Sequence, residues 1–219
     1  MPQQHFDTFV FDLDGTLLDT LADLTVLTNQ VLREMGWPER TQDEILSYVG
    51  NGVRALMYKA VPDGTSPEDA ERAMGRWSEL FPTYPNDLTK PYPGITDMLR
   101  SLRERGCKVG VVSNKFDAGV QQIIGKCLPG LIDVAHGEAP DIPRKPDPTG
   151  VLRTISELGG VPERSVFVGD SPSDIKAGKN AGVATVAVEW GYHPVQDFAE
   201  AHPGFMVARP ADVLGLAAS

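Results

Sequence analysis

His5-Phe6-Asp7-Thr8-Phe9-Val10-Phe11-Asp12-Leu13-Asp14-Gly15-Thr16 begins with alternation, turns apolar, and stops at an Asp-Gly turn signal. That profile predicts a short buried strand ending at Asp12. The same character returns at Lys108 to Ser113, Leu131 to Ala135, Ser165 to Asp170 and Ala184 to Glu189. Amphipathic helical segments separate these strands. One carries Ile95, Met98, Leu99 and Leu102 and ends at Gly106; another carries Val120, Ile123 and Ile124; a third carries Leu152, Ile155 and Leu158 and ends at Gly159. Alternating strands and helices predict the α/β class, a parallel sheet covered on both faces. Ligands of such folds sit outside the carboxyl ends of the strands.

One stretch breaks the alternation. From Thr20 to Lys90 only helical patterns appear. Thr20 is a candidate N-cap with Asp23 three residues later, followed by Leu24, Leu27, Val31 and Met35 before Gly36 and Pro38. Thr41 with Glu44 repeats the capping-box spacing. Ser66-Pro67 with Asp69 starts a helix carrying Ala70, Ala73, Met74, Trp77 and Phe81. The expected organisation is a sheet domain from 1–19 and 91–219, interrupted by a helical domain over 20–90. Its Pro-rich exit, Pro82 to Pro93, returns the chain to the sheet.

At 219 residues the chain suits one core with a substantial insertion. Its 41% hydrophobic and 23% charged residues fit a folded globule. A net charge of −10 and a pI near 4.8 argue against nucleic acid or an anionic membrane as partner, because either needs a basic footprint. No apolar stretch reaches membrane-spanning length, and Met1 to Asp7 lacks the profile of a secretory signal. Cys107 and Cys127 form no CxxC pair and read as reduced, part-buried thiols, which predicts a cytoplasmic protein. His5, His136, His193 and His202 show no metal-ligand spacing and read as surface or loop residues. Oligomeric state stays open between monomer and homodimer.

Three polar clusters fall at the predicted strand ends: Asp12 to Thr16, Ser113-Asn114-Lys115 and Gly169-Asp170-Ser171. Residues two apart in an extended segment share a face, so the carboxylates of Asp12 and Asp14 are expected to approach one ligand. Close anions need a cation, and Mg²⁺ is the hard, oxygen-ligated ion that suits them. Asp170, with Asp174 four residues on, adds carboxylates from a second strand end. Gly15 permits a tight turn exposing amide donors, and the hydroxyls of Thr16 and Ser113 suit phosphate oxygens. Lys145 supplies positive charge, with Lys115 and Arg144 close in sequence.

Each cluster also has a plainer structural use. Asp-Gly-Thr is ordinary turn chemistry after a strand. Lys145-Pro146-Asp147-Pro148 reads equally as a loop leading into a helix, and Ser173 or Asp174 would cap the helix bearing Ile175. Their joint occurrence in this order favours the chemical reading.

The chain resembles the haloacid-dehalogenase-like superfamily. Its four motifs match Asp12-Leu13-Asp14-Gly15-Thr16, Ser113-Asn114, Lys145 before Pro146, and Gly169-Asp170-Ser171-Pro172-Ser173-Asp174. The resemblance implies a Rossmann-like core with an inserted helical cap, and a Mg²⁺-dependent phosphatase acting on a small phosphorylated metabolite. It implies Asp12 as the nucleophile that forms an aspartyl-phosphate and Asp14 as general acid and base, with its backbone carbonyl on the metal. Asp170 completes the metal's ligands and Asp174 supports it. Ser113 and Lys145 hold the transferring phosphoryl group. Gly15, Thr16, Asn114 and Lys115 are the further candidate substrate contacts.

Ser113-Asn114-Lys115, Val49-Gly50-Asn51-Gly52-Val53 and Trp190-Gly191-Tyr192 look like the phosphoglycolate phosphatase group. That likeness offers Arg54 as a partner for a substrate carboxylate. An acid at Asp14 favours phosphoester cleavage over dehalogenation, because halide leaves without a proton. The competing readings are a phosphomutase such as a β-phosphoglucomutase-like enzyme, a pyrophosphatase or nucleotidase on the same core, and a non-catalytic ligand-binding protein.

Overall fold

In the computed structural model, which describes residues 5–218, the apolar run at the start of the chain is strand β1 (Thr8–Phe11), with all four residues buried. A two-residue strand β2 (Leu18–Asp19) follows, then four helices: α1 (Leu21–Glu34), α2 (Gln42–Tyr48), α3 (Gly52–Ala60) and α4 (Pro67–Leu80). Strand β3 (Lys90–Pro91) leads into α5 (Ile95–Glu104), β4 (Lys108–Phe116), α6 (Asp117–Cys127), β5 (Val134–Glu138) and α7 (Thr149–Glu157). The chain ends with β6 (Ser165–Gly169), α8 (Pro172–Asn180), β7 (Ala184–Val188), β8 (Phe205–Val207) and α9 (Pro210–Val213).

Six strands form one sheet in the order β5-β4-β1-β6-β7-β8, and every pairing in it is parallel. The chain leaves β1 toward β4 and β5, then crosses to β6 on the other side. β1 is therefore the switch point, and its carboxyl end opens the crevice where such sheets bind ligands. The Rossmann-like α/β core expected from the sequence is present.

The helices between β2 and β3 pack on one another, α1 against α2 and α4, and α3 against α2 and α4. Their caps follow local chemistry. Thr41 and Glu44 close a capping box, and Ser66 accepts from the Asp69 amide with Pro67 in the first turn. Leu27, Val31, Ile45, Met57 and Trp77 join Phe9, Phe11 and Val111 in one apolar cluster, so helices and sheet share a core. Trp77 stacks on Phe81, and Phe81 meets Phe116 edge-on at 4.9 Å between centroids, seating α4 against the end of β4. β2 and β3 pair antiparallel, Leu18 with Pro91 and Asp19 with Lys90. The entry and exit of the helical segment therefore lie side by side.

Several expectations needed correction. β4 runs to Phe116, beyond Ser113, with an irregular register between Val112 and Phe116; Ser113 to Lys115 are buried, and the half-buried Phe116 still pairs with β5. β5 begins at Val134, because Leu131 to Asp133 form the lead-in and the Asp133 carboxylate accepts from the Val109 amide. β8 had no counterpart in the sequence reading. On α7 Ile155 faces inward as expected, with Val151 and Thr154 beside it, but Leu152 is exposed and Val151 takes its place.

Thr20 occupies the N-cap position of α1 but makes no side-chain cap bond. Asp23 does not close a box with it either. Its carboxylate accepts from the Leu88 and Thr89 amides and from the hydroxyls of Thr89 and Tyr84, bolting α1 to the segment before β3. Among the described residues, no helix is long and apolar enough to cross a membrane.

Candidate active site

Asp12 leaves β1 with its amide still donating to Val168 O at 2.9 Å, which stitches it to β6. Asp170 follows β6 directly, and Asp174 lies in the first turn of α8. Ser171, not Ser173 or Asp174, caps that helix, and Asp174 closes the capping box on it. Asp174 Oδ2 accepts from the Ser171 amide and hydroxyl, so Oδ1 is left to meet Lys145 Nζ at 2.7 Å. The carboxylates of Asp12, Asp170 and Asp174 are buried and offer oxygens within 4.8 Å of one another.

Lys145 is buried with them. Its ammonium lies 2.7 Å from Asp12 Oδ1, a buried ion pair. Burial works against the Lys145 charge, but Asp12 and Asp174 outweigh it and hold the ammonium protonated, above its ordinary range. Burial also pushes Asp12 well above the usual carboxylate range; Lys145 opposes this, while Asp174 and Asp170 reinforce it. Asp170 is raised to about 6, chiefly by burial and by the charge of Asp174, against the lowering effect of the Tyr192 amide and the Thr16 hydroxyl.

Three carboxylates thus face one ammonium in a buried setting. A hard divalent cation is the partner that satisfies such a set, so the residues present fit Mg²⁺. The side chain of Asp14 is not part of this cluster, contrary to the expectation that it would share a ligand with Asp12. Its Oδ1 accepts from Thr20 Oγ1 at 2.6 Å and pairs with Lys115 Nζ at 3.1 Å. Both contacts use Oδ1, leaving Oδ2 without a side-chain partner among the described residues. The Thr20 hydroxyl that would have capped α1 is engaged here instead.

Other sequence candidates land in different roles. The Thr16 hydroxyl donates to Asp170 Oδ1 at 2.8 Å, so it orients a carboxylate and is not available to phosphate. The Gly15 amide donates to Leu18 O, so that donor is engaged within the turn. Gly15 is needed for another reason: its φ is +86°, and a Cβ there would clash with Asp170 Oδ2 and Tyr192. Asn114 holds the Gly50 carbonyl through Nδ2 and the Lys145 amide through Oδ1, both at 2.8 Å, joining the helical segment to the lysine loop. Ser113 is buried beside the cavity and accepts from the Lys115 amide. Arg54 is not brought to the site. It lies on the outer face of α3 paired with Glu71, because the helical period turns Leu56, Met57 and Ala60 inward. Arg144 is likewise engaged, with Glu138 at 3.0 Å and with the Asn51 carbonyl.

Asp12, Asp14, Ser113, Asn114, Lys115, Lys145 and Asp170 line one cavity of about 60 Å³. A single water needs roughly 10–15 Å³ on this measure, so the space suits a small ligand. Leu24, Val53, Leu56, Trp77 and Phe116 supply its apolar wall.

The loop after β7 is the part that no pattern in the sequence located. Trp190 Nε1 donates to Thr16 O at 2.9 Å, and the Tyr192 amide donates to Asp170 Oδ2 at 2.8 Å. The Tyr192 hydroxyl accepts from the Thr20 amide at 2.8 Å and donates toward Asp19 at 3.2 Å. Gly191 packs so closely on Asp170 that a Cβ would overlap it. Trp190-Gly191-Tyr192 carries a signal only as a family likeness, because a loop that touches two distant segments, 16–20 and Asp170, has no periodicity. His193 also borders the cavity, paired with Asp197 at 2.9 Å.

Comparison with known proteins gives a consistent result. A family model described as haloacid dehalogenase-like hydrolase matches residues 9–188. The chain is 38% identical over 208 residues to a phosphoglycolate phosphatase of Aquifex aeolicus, covering 94% of each. It is 32% identical to phosphoglycolate phosphatase 1 of Pseudomonas aeruginosa, covering 94% of this chain and 77% of that protein. A solved structure from Lactobacillus delbrueckii with a provisional phosphoglycolate phosphatase assignment superposes with a TM-score of 0.88 at 28% identity, covering 96% of this chain and 97% of the other. A haloacid dehalogenase-like family hydrolase of Streptococcus pneumoniae shares the fold, with a TM-score of 0.83 at 19% identity over 95% of this chain and 97% of that one.

Proposed function

The chain belongs to the haloacid dehalogenase-like hydrolases, and we propose that within them it is a Mg²⁺-dependent phosphatase releasing phosphate from a small phosphorylated metabolite, 2-phosphoglycolate foremost. The observation that carries this reading is the pairing of two differently placed acids at one cavity. Asp12 lies in the buried carboxylate cluster with Lys145, while Asp14 is held apart from it by Thr20 and Lys115. A nucleophile and a separate proton donor are what phosphoester hydrolysis by covalent catalysis requires.

In this mechanism Lys145 pairs with Asp12 Oδ1, and Oδ2 attacks phosphorus. The bond from Oδ2 to phosphorus forms as the bond to the leaving oxygen breaks, and Asp14 gives that oxygen its proton. Asp14, now a carboxylate, then takes a proton from water. The resulting hydroxide attacks phosphorus, the acyl-phosphate bond breaks, and inorganic phosphate leaves with Asp12 regenerated. Lys145 and Ser113 offset the charge on the transferring oxygens. Asp12, Asp170 and Asp174, with the Asp14 carbonyl, are the groups that would hold Mg²⁺, which when bound supplies positive charge to the phosphoryl oxygens.

Residues 20–90 serve in this reading as a cap over a core made of 1–19 and 91–219. The side-by-side strands β2 and β3 are its hinge. The free thiols of Cys107 and Cys127 support placing the enzyme in the cytoplasm.

The test is phosphate release from 2-phosphoglycolate and from p-nitrophenyl phosphate, with and without chelator, for the parent and for Asp12→Asn. The variant should remain folded by circular dichroism and lose turnover by at least 10³-fold, on the scale of losing a covalent nucleophile. Turnover matching the parent's would refute the nucleophile. Full activity in chelator would refute the metal, and isomerisation of a sugar phosphate without net phosphate release would identify a mutase instead.

A further inference from the structure

A cavity that receives a phosphate ester must also hold whatever lies beyond the leaving oxygen, and the charges around this cavity are unequally engaged. Lys145 is committed to Asp12 and Asp174, at 2.7 Å each. His193 is paired with Asp197. Arg54 points away toward Glu71, and Arg144 is engaged with Glu138 and the Asn51 carbonyl. Lys115 differs from all of these. It lines the cavity with a side chain only 6% exposed, and its one ion-pair partner among the described residues is Asp14 Oδ1, at 3.1 Å.

We propose that Lys115 is a specificity residue that receives a carboxylate of the substrate, which makes the site selective for phosphate esters of 2-hydroxy acids. This rests on the phosphatase reading above, in which Asp14 donates to the leaving oxygen. That oxygen must then lie within hydrogen-bond distance of Asp14, about 2.7 Å. In the phosphate ester of a 2-hydroxy acid the carboxylate is separated from the bridging oxygen by one carbon, so its oxygens sit about 2.6–3.6 Å from that atom. Lys115, in contact with the same Asp14, is the cavity cation within this reach. Leu56 and Trp77, in the apolar part of the lining, offer no charge to a carboxylate held further along a chain.

The same geometry explains why Arg54 is not needed. Arg54 on α3 is turned outward to Glu71, whereas Lys115 comes from β4 beside Ser113 and faces the cavity. Burial sharpens the discrimination. When Asp14 carries the proton it gives to the leaving oxygen, it no longer offers Lys115 a charge, so an ester with no carboxylate would leave the buried ammonium without an anionic partner, and a buried charge left unpaired is penalised more than a pairing formed in water is rewarded.

The experiment compares kcat/KM for 2-phosphoglycolate and for ethyl phosphate, which has the same two-carbon frame without the carboxylate, in the parent and in Lys115→Met. The parent should prefer 2-phosphoglycolate by about 100-fold, and the variant should lose most of that preference while staying folded. Lys115→Arg should restore part of the ratio. Equal losses on both substrates would show that Lys115 serves only to position Asp14, and would overturn the proposal. A parent that hydrolyses both esters without preference would overturn it too, while leaving the phosphatase reading intact. A parent that releases phosphate from neither ester, nor from p-nitrophenyl phosphate, would overturn both.

Discussion

Tyr192 and Thr20, 172 residues apart in sequence, are joined by a hydrogen bond of 2.8 Å from the Thr20 amide to the Tyr192 hydroxyl. Through its own amide the same tyrosine holds Asp170, and through Thr20 Oγ1 the contact continues to Asp14. The start of α1 is thus tied at once to the carboxylate cluster and to the separate acid. Burial, with the charge of Asp14 nearby, pushes the Tyr192 hydroxyl far above its ordinary range, so it stays a neutral donor and acceptor.

Tyr192→Phe tests that tie. The amide bond to Asp170 survives the change, while the Thr20 amide loses its acceptor and Asp19 a donor. The expected outcome is a loss of roughly 1 kcal/mol in stability and a fall in kcat of about 3- to 10-fold. Half-saturation by Mg²⁺ should move less than twofold. A large shift in the Mg²⁺ titration with unchanged kcat would contradict this assignment.

Asp170 gives a prediction in pH. Its folded pKa of about 6 lies above the ordinary carboxylate value, so between about pH 4 and 6 the folded state keeps a proton that the unfolded state has released. Stability of the metal-free protein therefore falls as pH rises through that interval, by on the order of 2–3 kcal/mol, and the whole penalty is present above pH 6. Asp170→Asn, in chelator, should unfold at a higher temperature than the parent at pH 7.5, despite weakening the contact to the Tyr192 amide. The gain should vanish or reverse near pH 4. A difference independent of pH, read by thermal denaturation, would contradict the linkage.

Asp23 is a structural bolt. It is 3% exposed and accepts from two amides and two hydroxyls in the 84–89 segment. Asp23→Ala leaves those donors without an acceptor, and the expected loss is about 3 kcal/mol by denaturant unfolding. Burial and the Asp23 contact together push the Tyr84 hydroxyl up to about 12, so its titration should move back toward the ordinary tyrosine range in the variant. A loss below about 1 kcal/mol would rule out the bolt.

The strand at Thr8–Phe11 and those at Ser165–Gly169 and Ala184–Val188 were legible because buried parallel strands read as short apolar runs with turn signals at their ends. The caps at Thr41 and Ser66 were legible for a similar reason, since a cap is a bond between residues three apart. Thr20 and Asp23 show where local inference stops. They have capping spacing, yet distant partners claim both side chains: Asp14 and Tyr192 in one case, Leu88 and Thr89 in the other. Leu152 and the start of β5 were misplaced because neighbouring apolar residues offered two phases with little to separate them.

By itself the sequence determined the class of fold, the placing of a helical segment between the first strand and the rest of the sheet, and the placing of Asp12 and Asp170 at strand ends. Each of these follows from patterns a few residues long repeated along the chain. Tertiary structure alone decided that the Asp14 carboxylate parts from Asp12, that Thr16 serves Asp170, that Arg54 turns outward, and that Tyr192 enters the site. A side chain has few hydrogen-bonding atoms, and which of several chemically suitable partners engages them depends on distances between segments that no local pattern encodes.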